Sequence, residues 1–143
     1  MITVEKSVII NRPVAEVFSF VTNEENTTKW QAGVESTQDE GPTNQVGSRY
    51  TEVRKFMGRE MKTTLELTAF EPNAKWGAKV VKGPVPYEVV SMFEAVDGGT
   101  KVTTRVEGEP TGFFKVAEGM VSGQLEKSLE EDFQRLKALL ESA

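Results

Sequence analysis

Apolar and polar positions follow three rhythms along this chain. Residues 2–10 alternate loosely and are rich in Val and Ile, which predicts a first strand. Asn11 is placed to cap a helix and Pro13 to fill its first turn. Val14, Val17, Phe18 and Val21 then recur at helical spacing, the buried face of a short helix. Residues 23–30 are polar until Trp30 and predict a second, shorter helix or turn whose indole docks on the body. Strand patterns then fill 33–38, 47–56, 59–70, 75–82, 86–96 and 100–109. Gly41-Pro42, Met57-Gly58, Glu71-Pro72-Asn73, Gly83-Pro84 and Asp97-Gly98-Gly99 separate them. In the last segment Phe114, Ala117, Val121, Leu125, Leu129, Phe133, Leu136 and Leu140 recur at spacings of three and four, after Thr111 as a candidate cap. A helix of about thirty residues would be about 45 Å long at ~1.5 Å per residue, enough to cross a whole sheet.

Two hairpins can be tested by register. With Met57-Gly58 as a two-residue turn, Lys55 faces Glu60 and Arg49 faces Glu66, two opposite-charge pairs on one face. Tyr50 then meets Leu65 and Arg54 meets Met61 on the other face. A turn at Asp97-Gly98 sets Glu94 against Lys101 outside, with Phe93 against Val102 and Val89 against Val106 inside. Each register separates a charged outside from a largely apolar inside, the mark of antiparallel pairing. The expected architecture is α+β: a curved antiparallel sheet gripping one long C-terminal helix, with two short helices after the first strand. A gap between sheet and helix would be a pocket.

The length of 143 residues fits one domain, taken here as 1–143. Apolar residues make up 38%, slightly low, so the interior is expected to be less generously filled than usual. The chain has neither cysteine nor histidine, which removes disulfides, thiolate chemistry, Cys- and His-based zinc sites and His-dependent triads. Acid–base chemistry would fall to Asp, Glu, Lys, Arg or Tyr. No loop of the calcium-binding type is present, and neither a metal nor a cofactor is expected. The net charge of −5 and the scatter of basic residues argue against nucleic acid as a partner. No signal peptide or membrane-spanning run is visible, which makes the cytoplasm the default compartment, without membrane insertion. A monomer or homodimer is expected.

Several segments, in this order and spacing, resemble the START-like (SRPBCC) superfamily, and within it the polyketide cyclase/dehydrase-like group. They are residues 8–18 (VIINRPVAEVF) followed by Trp30, residues 46–50 (VGSRY), 67–72 (LTAFEP), 93–102 (FEAVDGGTKV) and the tail 136–141 (LKALLE). The resemblance covers essentially the whole chain. It implies a helix-grip (START/Bet v 1-like) fold with a deep cavity between sheet and C-terminal helix. Relatives bind lipids, sterols, plant hormones and polyketides; some are cyclases, some transfer proteins, and a co-chaperone-like branch binds a protein partner. The superfamily shares no single catalytic motif, so no catalytic residue carries over, and the fold alone does not give the function.

Glu52 and Arg54 are the most informative candidates, because the first hairpin aims both at the apolar face, with Thr63 opposite Glu52. Charges there are costly unless paired or solvated. A structural ion pair, or an exposed strand end near Gly58, is the plain reading; contact with a polar group of a ligand, or an acid–base role, is the functional one. Tyr50, Tyr87, Trp30 and Trp76 suit a pocket wall and a core equally, the two tryptophans leaning towards core. Met61, Leu65, Phe93, Phe113, Phe114, Ala117, Met120 and Val121 are the candidate apolar wall. Trp76 joins them as a ligand-binding candidate. Gly112, Gly119 and Gly123 fall in or beside the first half of the long helix. An interior Gly costs a helix about 0.5–1 kcal/mol relative to Ala. Gly119 and Gly123 lie about 160° from Val121 around the helix axis, so close packing does not require them. This half is expected to be soft and to admit ligand. Residues 83–86 (GPVP) are a candidate rim, or simply a connector, and residues 39–45 read as a loop.

The leading expectation is a carrier for a small hydrophobic or amphipathic molecule, held by apolar enclosure and oriented by Tyr50, Glu52, Arg54 and Tyr87. A cyclase- or dehydratase-like enzyme without a metal is the second expectation, and a co-chaperone-like interaction domain the third. The last would need an exposed apolar patch.

Overall fold

Met57 and Gly58 both take positive φ (51° and 78°), the conformation a two-residue hairpin turn demands. The strands they join pair in the register deduced from charge: Arg49 with Glu66, Tyr50 with Leu65, Arg54 with Met61 and Lys55 with Glu60. The second hairpin also holds, with Phe93 on Val102, Glu94 on Lys101 and Val89 on Val106. These pairings belong to a computed structural model that describes residues 1–142.

Seven strands form one antiparallel sheet: β1 (Ile2–Ile10), β2 (Val34–Asp39), β3 (Arg49–Phe56), β4 (Arg59–Glu71), β5 (Lys75–Lys82), β6 (Tyr87–Val96) and β7 (Gly99–Gly108). Their order is β1-β7-β6-β5-β4-β3-β2, so β2 to β7 run as a meander and β1 adds beside β7. Register shifts in β2 and β4 mark bulges, which bend a strand and help curve the sheet. Helix α1 (Val14–Thr22), a 3-10 turn at Glu24–Asn26 and α2 (Thr27–Trp30) carry the chain from one sheet edge to the other. Pro13 occupies the cap position of α1. Asn11, the expected cap, instead donates its backbone N–H to Glu141 at 2.9 Å.

The long helix is interrupted. A short α3 (Phe113–Val116) precedes Ala117, whose φ/ψ of −102°/29° leave the helical region, and α4 then runs Glu118–Glu141. Ala117, not Thr111, holds the cap position of α4, and the Thr111 hydroxyl donates to the Pro84 carbonyl at 2.8 Å, tying this segment to the 83–86 loop.

The main core gathers Val8, Ile10, Val17, Phe18, Phe93 and Val102 with Phe133, Leu136 and Leu140 of α4. Phe18 meets Phe93 and Phe70 edge to face, with centroids at 4.9 and 5.4 Å. At Gly99 a Cβ would run into the Ile10 backbone carbonyl, so only glycine lets β1 and β7 end together there. A smaller cluster of Ile2, Val4, Phe114 and Val121 sits towards the other end of α4. A third, Tyr50, Leu65, Leu67 and Ala78, lies on strands β3 to β5.

Candidate functional site

Between these clusters lies a cavity of about 270 Å³, near the lower end of the ~300–1,000 Å³ usual for small-molecule sites. Its apolar wall includes Met61 and Leu65 from β4, Val89 and Val106 from β6 and β7, and Val121 and Leu125 from α4. Val85 of the 83–86 loop and Phe114 of α3 also line it.

Three of the polar groups come from alternate positions of β3. Tyr50, Glu52 and Arg54 share its inner face because strand side chains alternate, and all three line the cavity. Glu52 is only 4% exposed. It accepts hydrogen bonds from Arg54 Nε at 3.0 Å and from the Tyr87 hydroxyl at 3.3 Å. The Arg54 side chain is 25% exposed and donates through Nη2 to Gln31 Oε1 at 2.6 Å. Glu52 is therefore buried and Arg54 half-buried, each with a further hydrogen-bond partner, and both are on the cavity wall.

The electrostatics follow from burial. Removal from water pushes the Tyr50 and Tyr87 phenols up, and the Glu52 carboxylate beside them pushes the same way. Burial alone would lower the Arg54 guanidinium, but Glu52, Tyr87 and Asp132 together outweigh it and hold Arg54 firmly protonated. Glu24, in the 3-10 turn, is pushed up to about 7 by burial and by the nearby Asp39. Asp132 of α4 is also raised by burial, against the opposing pull of its partners. Those partners are the Ala32 N–H at 3.2 Å and Arg135 Nη1 at 3.0 Å.

Of the residues picked from sequence, Tyr50, Glu52, Arg54, Met61, Leu65, Trp76, Tyr87, Phe114 and Val121 line this one cavity. Three are placed elsewhere. Phe93 is spent in the main core against Phe18. Ala117 packs beside the Ile2–Phe114 cluster at the break between α3 and α4. Met120 is 68% exposed, because it lies about 100° around the helix axis from Val121, which carries the stripe inward. The side chain of Phe113 lies outside the described residues.

The cavity also holds residues that the pattern did not single out: Glu24, Gln31 and Asp132, with Ser91 and Thr104 hydrogen-bonded to each other at 2.7 Å. Asp132 carried a readable signal, since it falls on the apolar stripe between Leu129 and Leu136. Glu24 and Gln31 carried none. Trp30 and Trp76 both line the cavity, and each indole N–H is buried without a hydrogen-bond partner.

Among the described residues, no cluster of three or more His, Cys, Asp or Glu is arranged to hold a metal ion. None of their helices is long and apolar enough to cross a membrane.

A family model described as polyketide cyclase / dehydrase and lipid transport matches residues 1–141. A START superfamily protein from Mycobacterium smegmatis is similar in structure, with a TM-score of 0.81, 14% identity and 99% of each chain covered. TTHA0849 from Thermus thermophilus matches with a TM-score of 0.77 and 19% identity, over 96% of this chain and 98% of that one. The di-domain ARO/CYC StfQ from the steffimycin biosynthetic pathway matches with a TM-score of 0.77 and 13% identity, over 99% of this chain and 51% of that one. At these identities the likeness concerns the fold. No curated protein matches the sequence.

Proposed function

This chain belongs to the polyketide cyclase / dehydrase and lipid transport family, and we propose that it works as a binding or carrier protein for a small amphipathic molecule. The observation that carries this reading is the cavity itself: about 270 Å³ of unfilled space, walled mainly by apolar side chains, with Tyr50, Glu52, Arg54 and Tyr87 set among them. Apolar burial would supply affinity at about 25 cal/mol per Å² of surface removed from water. Glu52, Arg54, Tyr50 and Tyr87 would orient the ligand's polar end. Met61, Leu65, Phe114 and Val121 would enclose its body.

Native mass spectrometry of freshly purified protein tests this, followed by solvent extraction. The expected result is a discrete excess mass that disappears on denaturation. The reading fails if the protein carries no excess mass and also binds no apolar fluorescent probe.

A cyclase- or dehydratase-like activity is the second reading. It is favoured by one observation, the hydrogen-bonded line Tyr87–Glu52–Arg54 against the cavity. In that line Tyr87 is held protonated by its surroundings, which does not suit a general base, and its one O–H would reach a substrate carbonyl only by leaving Glu52. Turnover of a poly-β-ketone chain that is lost in Tyr87→Phe but survives in Met61→Leu would favour the enzyme over the carrier.

A further inference from the structure

The charged residues that line the cavity are unevenly matched. Four are acidic, Glu24, Glu52, Glu131 and Asp132, and two are basic, Arg54 and Lys55. Lys55 and Glu131 are exposed to solvent, where water and salt screen them. In the interior Arg54 is the one lining cation among the described residues, and it already serves Glu52 at 3.0 Å and Gln31 at 2.6 Å. Asp132 is neutralised from behind by Arg135, which does not line the cavity. A ligand carboxylate, sulfonate or phosphate entering this space would either share Arg54 with Glu52 or lie buried without a counter-ion. Both arrangements are unfavourable in a medium less polar than water.

The cavity contains its own indicators of this bias. Tyr50 and Tyr87 would each become an anion on losing a proton, and both are held protonated, first by burial and then by Glu52. Arg54 acts in the opposite direction at both and does not prevail. An uncharged polar head meets no such penalty. Tyr50, Ser91 and Thr104 are all lining residues, and a hydroxyl can both donate and accept.

We propose that the cavity selects by charge, admitting neutral amphipathic molecules with hydroxyl or carbonyl heads and rejecting those with anionic heads. This rests on the carrier reading above and narrows its ligand class. Free fatty acids and phosphorylated lipids fall outside that class, whereas long-chain alcohols, ketones and neutral polycyclic compounds fall inside it.

The test uses two probes on one ring skeleton, N-phenyl-1-naphthylamine and its 8-sulfonate, titrated by fluorescence into the full chain at pH 8. The neutral probe is expected to bind at least tenfold more tightly. In Glu52→Gln, which removes the carboxylate competing for Arg54, the ratio of the two affinities should narrow at least fivefold. Glu24→Gln, a half-buried site outside the Glu52–Arg54 pair, should narrow it about twofold, and it keeps the test alive if Glu52→Gln does not fold. Equal binding of both probes to the parent chain, or an unchanged ratio in the folded variants, overturns charge selection and leaves the carrier reading standing. Failure of both probes to bind overturns charge selection, and where the protein also carries no excess mass it overturns the carrier reading with it.

Discussion

The two halves of α4 carry the same spacing of apolar residues and meet opposite surroundings. In the C-terminal half Phe133, Leu136 and Leu140 are buried in the main core. The same half is laced to its neighbours by hydrogen bonds. Lys137 Nζ donates to the Ile9 carbonyl at 2.6 Å, Arg12 Nε to the Leu140 carbonyl at 2.8 Å and Arg135 Nη1 to the Trp30 carbonyl at 2.8 Å. In the N-terminal half Val121, Leu125 and Leu129 face the cavity. Gly119 and Gly123 stand on the other side with open space where a Cβ would go. Just before this half, Val116 is 91% exposed. One helix therefore does two jobs, anchoring at one end and covering a void at the other. A stripe shows that a face is covered, but whether it covers side chains or space depends on what lies opposite.

The sharpest way to break this comparison is a matched pair of truncations. Leu136, fully buried, should lose about 3 kcal/mol of stability as Leu136→Ala, within the ~2–5 kcal/mol range for buried Leu. Leu125→Ala should cost only about 1 kcal/mol, because its side chain already borders empty space and forfeits fewer contacts. Urea denaturation of both variants measures the difference, and equal costs would mean the cavity is not open in solution.

The polar end of the cavity adds a pH dependence. Glu24 is raised from 4.5 to about 7 in the folded state, with Asp39 as its charged neighbour and Tyr50 close enough to feel its field. Between those two values the folded protein binds a proton that the unfolded chain does not. This group's contribution is therefore most favourable below pH 4.5 and is lost as pH rises through 7. Discounted for the partial exposure of Glu24, the loss is about 1 kcal/mol. Glu24→Gln should gain about that much at pH 8 and almost nothing at pH 4.5, by thermal denaturation at the two pH values. A gain of the same size at both would remove the assigned cause.

The smallest effect belongs to the glycines. Gly119→Ala and Gly123→Ala should each stabilise the protein by about 0.5 kcal/mol, since nothing obstructs the added methyl. Together they should slow probe exchange in stopped-flow measurements if a soft helix start admits ligand. Unchanged exchange rates would leave the glycines without a role in entry.

Much of this was legible in the chain before folding was considered. Both hairpin registers followed from charge pairs, and with them the inward direction of Tyr50, Glu52 and Arg54, because a strand's period of two leaves no freedom once the turn is fixed. The α4 stripe followed from its spacing, and Asp132 stood on that stripe as a charge out of place. Met120 and Phe93 were misplaced for different reasons. Met120 sits about 100° around the helix axis from Val121, off the stripe that turns inward. Phe93 points inward as expected, but Phe18 takes up its ring.

What the sequence determined by itself is local and periodic: which residues form strands and helices, which faces turn inward, and that two charges share an apolar face. Tertiary structure alone decided where the enclosed surfaces touch and where they stay apart. It also brought Glu24, Gln31 and Asp132, from three separate segments, to the wall shared with the β3 residues. The physical reason is that periodicity is set by backbone geometry within one element. A cavity is a difference between volumes supplied by many elements, and no single segment encodes it.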